Sequence, residues 1–208
     1  MADVLLINGS PHKNGCTATA LEIVAHEIED QGLSTETVWL GNNTYAGCTS
    51  CHYCAHHDRC VRDDIVNELL PQFEEAKGLV VGSAVHYASA TGTITSVLDR
   101  LFYAKSFDTR FKVGACVVSC RRGGASATFD QLNKYFTISQ MPIVSSRYWN
   151  SVHGYTREDV LKDIEGCQTM MMLGRNMAFL IKSIDLGREH VGLPELEEPR
   201  WTHFMDGK

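Results

Sequence analysis

Residues 3–19, DVLLINGSPHKNGCTAT, decide how the rest of this chain is read. Val4, Leu5, Leu6 and Ile7 stand together with nothing polar between them, which suits a strand covered on both faces in a parallel sheet. The run passes directly into Asn8-Gly9-Ser10-Pro11 and then into a helical pattern beginning near Thr17. A loop of small and hydroxyl residues ahead of a helix leaves backbone N–H groups free at the positive end of the helix dipole. That is an anion site, most usefully one for a phosphate. Ser10 and Thr17 bring hydroxyl donors, His12, Asn14 and Cys16 share the loop, and Gly15 lets the backbone come close to a ligand. A Walker loop would need G-x-x-x-x-G-K-[ST], whereas here five residues separate Gly9 from Gly15 and Cys16 stands where the lysine belongs. The G-x-G-x-x-G fingerprint of dinucleotide sites is also missing from this loop.

Outward from that stretch the elements alternate. The sequence predicts a strand at Val4–Asn8, a helix at Thr17–Gln31 and a second strand at Thr35–Leu40. A long loop from Gly41 to Cys60 follows, then a helix capped by Asp63 or Asp64 and running to about Ala76. Leu79–Gly82 reads as the third strand, Ser83–Thr91 as a loop, and Ile94, Val97, Leu98 and Leu101 mark a helix. A fourth strand is expected at Lys112–Ser119, a loop at Cys120–Gly124, a helix to about Ser139 and a fifth strand at Pro142–Val144. Thr156-Arg157-Glu158-Asp159 has the form of a capping box and opens a long last helix to about Leu186, within which Gly166 and Gly174 mark a bend or a close contact. Such alternation implies α/β architecture: a five-stranded parallel sheet with helices on both faces and a ligand at the carboxyl ends of the strands.

Bulk properties narrow the function. With 208 residues and no repeat or linker, the chain is expected to form one domain over 1–208, with an inserted cysteine-rich loop at 41–62 and a tail at 187–208. A net charge of −6 with no basic cluster argues against nucleic acid as a partner. No apolar run is long enough for a membrane span, and residues 1–10 lack the pattern of a signal peptide, so the expected location is cytoplasmic. Eight cysteines in such a compartment read as metal ligands, redox groups or small core residues.

Four of them lie within thirteen residues, Cys48, Cys51, Cys54 and Cys60, in the spacing C-x2-C-x2-C-x5-C. Closely spaced thiolates can converge on one tetrahedral zinc or one iron–sulfur cluster. His52, His56 and His57 are further candidate ligands and keep zinc open. Free or redox-labile thiols in a substrate-side loop are the third reading.

Gly9-Ser10-Pro11, Gly15 and Thr17 after the first strand resemble the phosphate loop of the flavodoxin-like NADPH-dependent FMN reductase family. Two further loops follow in the family's order. The second carries Ala84, Val85, His86 and Tyr87, with Ala84 where proline is common in the family, ahead of a helix with Asp99-Arg100; the third is Ser119-Cys120-Arg121-Arg122-Gly123-Gly124. The compact cysteine motif is similar to that of the family's iron–sulfur flavoprotein branch, and Trp201-Thr202-His203-Phe204 is similar to the aromatic ending of family members.

The resemblance implies a flavodoxin-like three-layer sandwich with strand order 2-1-3-4-5. It implies FMN held non-covalently, its phosphate in the first loop (Ser10, His12, Asn14, Gly15, Cys16, Thr17). Ala84, Val85, His86 and Tyr87 would lie along its ring, with Ser119, Arg121, Gly123 and Gly124 as a third wall. Arg121 and Arg122 would favour the anionic reduced flavin and attract the NADPH phosphate. The implied activity passes electrons from NAD(P)H through FMN to a small acceptor: a quinone, flavin, azo or nitro compound. The rival is an electron carrier with a [4Fe–4S] cluster on the four cysteines, reduced by a ferredoxin. Homodimers or homotetramers are expected by the same resemblance, and no side chain is assigned as a catalytic acid or base.

Overall fold

The apolar run does form a strand, β1 (Val4–Asn8), all five of whose residues are buried. Its side chains alternate between two cores, Val4 and Leu6 to one side and Leu5 and Ile7 to the other, as the two-residue period of a strand demands. The computed structural model describes residues 2–198 and 200, so the aromatic stretch from Trp201 to Phe204 lies outside the described residues.

In chain order β1 is followed by α1 (Cys16–Asp30), β2 (Thr35–Trp39), α2 (Cys54–His57), α3 (Ile65–Glu75) and β3 (Gly78–His86). Then come β4 (Ser89–Ala90), α4 (Gly92–Ala104), β5 (Val113–Cys120), α5 (Ala125–Ile138), β6 (Ser151–His153), α6 (Arg157–Lys162) and α7 (Ile164–His190). The parallel strands are ordered β2-β1-β3-β5-β6, and β4 pairs antiparallel with β3. Counting the five parallel strands alone, this is the 2-1-3-4-5 order of the flavodoxin-like sandwich. Helices α3, α4 and α5 bury Phe73, Ile94, Leu98, Leu101 and Phe136 on one face. On the other, α1 and α7 bury Leu21, Val24, Ile28, Met170, Leu173 and Met177. Gly174 allows α7 to lie against α1, because a Cβ there would stand 2.7 Å from Val24 O and from Glu27 Cβ.

Besides the short α2 inside the loop expected from Gly41 to Cys60, the main differences from expectation are these. Pro142–Val144 is no strand: Ile143 makes one isolated bridge to Gly114. The chain then turns through Ser146, whose Oγ donates to Tyr148 O (2.6 Å), and rejoins the sheet as β6, where Val118, Ser119 and Cys120 pair with Ser151, Val152 and His153. Pro142 O accepts from Gly114 N and Val144 N donates to Gly114 O before the chain leaves the sheet. The expected loop Ser83–Thr91 is instead the extension of β3 and its hairpin return, β4. Its two turn residues, Tyr87 (φ 50°) and Ala88 (φ 58°), are both left-handed, as a two-residue primed turn requires. Finally, the capping box at Thr156 is present, but the helix it opens stops at Lys162. Asp163 ends that helix and caps the next, its Oδ1 accepting from Gly166 N (3.0 Å) and its Oδ2 from His153 N (2.7 Å). Helix α7 continues to His190, so Gly187 to His190 of the expected tail are helical.

Candidate functional site

The loops after β1, β3 and β5 meet at the carboxyl edge of the sheet, and side-chain hydrogen bonds join them. Thr17 Oγ1 lies 2.8 Å from Ser119 Oγ, which ties the first loop to the third. Thr91 Oγ1 donates to Gly9 O (2.8 Å), and Gly9 N donates to Gly82 O (2.9 Å), which tie the first to the second. The hairpin tip rests on the third loop, where a Cβ at Gly124 (φ 94°) would come 2.6 Å from Ala88 Cα; only a glycine fits there without strain. Gln131 Oε1 on α5 accepts from Ala90 N and Ser89 Oγ, which holds the hairpin from outside.

Within the first loop the polar groups are turned toward one another. Ser10 N donates to Asn8 Oδ1 (3.0 Å), His12 N donates to Ser10 Oγ (3.2 Å), and Trp39 Nε1 donates to Ser10 O (2.8 Å). Helix α1 starts after Gly15 with no side-chain cap. Its first backbone bond is Thr19 N to Gly15 O, so the N–H groups of Cys16, Thr17 and Ala18 have no backbone acceptor among the described residues. Thr17 and Ser119 are buried, and two hydroxyls sharing one hydrogen bond have one hydrogen left to donate. His12 and Asn14 are exposed at the loop's rim. Cys16 Sγ donates to Thr156 O (3.3 Å), and burial, reinforced by the charges of Asp159 and Glu158, raises its thiol above the ordinary range. The first loop is therefore an anion cradle of backbone N–H groups with buried hydroxyls behind it.

The second and third loops form the flanks. Ala84 and Val85 are half-buried, while His86 and Tyr87 project into solvent at the hairpin tip. Arg121, Arg122 and Gly123 are exposed, and among the described residues neither arginine has a carboxylate partner. Cys120 is buried and its thiol raised by that burial, which makes it a poor nucleophile. Cys116, deep in β5, is raised further by burial and is a core residue. Sequence reasoning missed Trp39 and Thr91 as supports of the first loop. The signal for Thr91 was the spacing to Ile94, whose N–H its hydroxyl caps.

The loop that contains α2 brings Cys48, Cys51, Cys54 and Cys60 to the wall of one pocket, together with His52, Arg100 and Tyr103. The sulfurs surround the pocket without meeting at a point: among the described residues no three His, Cys, Asp or Glu side chains stand together as a metal-ion site. Burial raises the Cys54 thiol, and the charges of Cys60, Cys48 and Cys51 push it the same way. His56 and His57 lie outside the pocket lining, His57 stacked on Tyr53 at 4.0 Å. Asp64, rather than Asp63, caps α3, accepting from Val66 N. Asp64 also pairs with Arg100, a buried cation whose side chain is 1 % exposed.

With this arrangement described, comparison with known proteins decides the family. The profile of the NADPH-dependent FMN reductases matches residues 2–156, and so covers all three loops. The chain belongs to that family. An iron-sulfur flavoprotein of Methanocaldococcus jannaschii is 29% identical over 189 residues, covering 87% of this chain and 98% of that one. Another, from Methanosarcina thermophila, is 26% identical over 187 residues, covering 88% and 97%. Among solved structures, RosB with a bound 8-demethyl-8-formylriboflavin-5′-phosphate intermediate superposes with a TM-score of 0.67 at 13% identity, covering 100% of this chain and 99% of that one. An archaeal flavodoxin gives 0.58 at 15% identity, covering 86% and 98%. Those structures share the fold.

As a member of the FMN reductase family, this protein is a flavodoxin-like flavoprotein and an oxidoreductase, similar within that family to the iron–sulfur flavoproteins. Its first loop fits the FMN phosphate by its acceptor-free amides and its buried hydroxyls. The cysteine pocket fits an iron–sulfur cluster in donor chemistry, being lined by four sulfurs and no carboxylate. Among the described residues no helix is long and apolar enough to cross a membrane.

Proposed function

We propose that this chain is an FMN-dependent oxidoreductase that takes electrons from NAD(P)H and delivers them to a small acceptor such as a quinone, a free flavin, or an azo or nitro compound. The observation that carries this reading is the bonding of three separate loops into one cleft, through Thr17 to Ser119 and through Thr91 to Gly9. FMN, when bound, supplies hydride acceptance and electron release at its ring. The chain's own residues bind and orient. The amides of Cys16, Thr17 and Ala18 offset the phosphate charge, with Ser10, His12, Asn14 and Gly15 around them. Ala84, Val85, His86 and Tyr87 would flank the ring. Ser119, Arg121, Gly123 and Gly124 form the third wall, and Arg121 with Arg122 draws the anionic nicotinamide nucleotide toward it. No side chain is assigned a proton-transfer step; the proton that an acceptor such as a quinone takes up on reduction would come from solvent.

The test is an FMN titration of purified protein followed by steady-state NADPH and NADH oxidation with a quinone. Stoichiometric FMN binding with turnover is expected. A chain that binds no FMN would overturn the reading.

A second reading is favoured by the shared pocket of Cys48, Cys51, Cys54 and Cys60. There a [4Fe–4S] cluster on those sulfurs supplies one-electron chemistry, and the chain accepts electrons from a ferredoxin-type donor. An anaerobic absorption spectrum with iron and zinc assays separates the cases: about four irons per chain supports the cluster, bound zinc replaces it, and metal-free protein leaves a simple FMN reductase. Rapid NADPH turnover with a quinone would exclude a pure carrier. Exposed Ile164, Met171, Phe179 and Leu186 along α7 support assembly as a homodimer or homotetramer.

A further inference from the structure

Arg100 sits near the end of α4 with its side chain 1 % exposed, and a buried cation needs partners for every donor it brings. Asp64 accepts from Nη1 (2.7 Å, Oδ2) and from Nη2 (2.8 Å, Oδ1) in a two-pronged pair. The carbonyls of Ala46 (3.4 Å) and Arg62 (3.3 Å) accept from Nη1 and Nη2. One planar group therefore grips the chain where it enters the cysteine loop and where it leaves. Those four contacts occupy the Nη hydrogens and leave the Nε hydrogen without an oxygen partner. Nε and Nη2 both point at Cys60 Sγ, each 3.2 Å away, and Cys60 is one of the four cysteines around the pocket.

We infer that Arg100 is the positioning residue of the cysteine pocket: it orients the Cys60 sulfur and, through its Nε–H bond and a shared Nη2–H contact to that sulfur, raises the reduction potential of a [4Fe–4S] cluster carried there. This rests on the cluster reading given above. N–H groups aimed at a ligand sulfur draw off negative charge and so favour the state holding one more electron. The step is a single electron entering the cluster, with no bond made or broken and no proton moved. In the wild type Asp64 balances the guanidinium charge, so the directed N–H groups carry the effect there, and removing the Asp64 charge adds to it through the same guanidinium.

The test is an EPR-monitored redox titration of anaerobically reconstituted full-length protein, with iron per chain and thermal unfolding measured on the same samples. Arg100→Lys keeps the charge but loses the flat fork that serves sulfur and carboxylate together; its cluster potential is expected to fall. Asp64→Asn retains a good helix cap for α3 and leaves the guanidinium charge unbalanced beside Cys60; its potential is expected to rise. Opposite shifts support the inference. A merely structural arginine would lower the melting temperature in both variants without moving the potential. Unchanged potentials, or shifts of the same sign, in loaded protein overturn the inference alone. If Arg100→Lys takes up no iron, Asp64→Asn decides: a rise supports the inference, and no rise overturns it. Wild-type protein that takes up no iron overturns the cluster reading and the inference with it.

Discussion

Thr17 Oγ1 and Ser119 Oγ lie 2.8 Å apart, although 102 positions separate them in the chain. The contact joins the first turn of α1 to the end of β5, and both residues are buried. Two loops that the sequence reads separately are thereby made one wall. Thr17→Val keeps the shape and removes the hydroxyl, leaving Ser119 buried without its partner. The loss is expected to cost about 1–3 kcal/mol, and FMN affinity to fall by roughly tenfold or more. Fluorescence titration with FMN checks it, with Ser10→Ala as the milder companion, because among the described residues Ser10 Oγ accepts a single local bond, from His12 N. Unchanged affinity in the Ser10→Ala/Thr17→Val double variant would remove the first loop from the site.

Arg121 and Arg122 are exposed and lack carboxylate partners among the described residues, so their charge is available to an anionic substrate. Changing both to glutamine is expected to raise KM for NADPH about two- to five-fold, the scale of exposed ion pairs. The effect should be smaller for NADH and should shrink with added salt. Equal changes for the two nucleotides would show that neither arginine meets the extra phosphate.

Gly124 couples the third loop to the hairpin tip through a left-handed backbone, with φ of 94°. Gly124→Ala combines backbone strain with a Cβ only 2.6 Å from Ala88 Cα. A destabilisation of about 1–3 kcal/mol is expected, read from urea unfolding, together with weaker FMN binding as the hairpin moves. A variant as stable as wild type would mean that the two loops part at little cost.

Acid sensitivity is expected to come partly from Asp3. Its carboxyl lies below the ordinary range, chiefly because Ser34 N donates to it, with the Ser34 hydroxyl and Lys77 adding to the effect against burial. A lowered native pKa means that the unfolded chain binds the proton more readily. The contribution is therefore full above the unfolded-state value of about 4 and is lost as pH falls through the lower native value. Asp3→Asn should flatten the decline of unfolding free energy in that acid window and lower stability at neutral pH. Parallel pH profiles for the two proteins would rule Asp3 out as a contributor.

The sequence by itself determined much of this protein. Where local chemistry is self-sufficient the reading holds to within a residue or two: β1 from its unbroken apolar run, α1 after Gly15, α3 from its aspartate cap, and the capping box at Thr156. The parallel sheet and the carboxyl-edge position of the loops follow from alternation, whereas the strand order 2-1-3-4-5 is implied by the family resemblance and is borne out by the pairing. Other features needed the tertiary structure. Tyr87-Ala88 lacks the glycine or asparagine of a primed turn, and only the pairing of β4 with β3 forces both residues to positive φ. The helix opened at Thr156 breaks at Asp163 because that side chain caps a new helix and bonds back to His153. Arg100 enters the sequence reading only within the Asp99-Arg100 pair of the resemblance. Its burial, and the direction of its donors toward Asp64 and Cys60, arise from partners 36 and 40 positions away. A periodic pattern records which face of an element is apolar. It does not record which distant side chain will meet a given donor, and that meeting is what makes the cleft and the cysteine pocket.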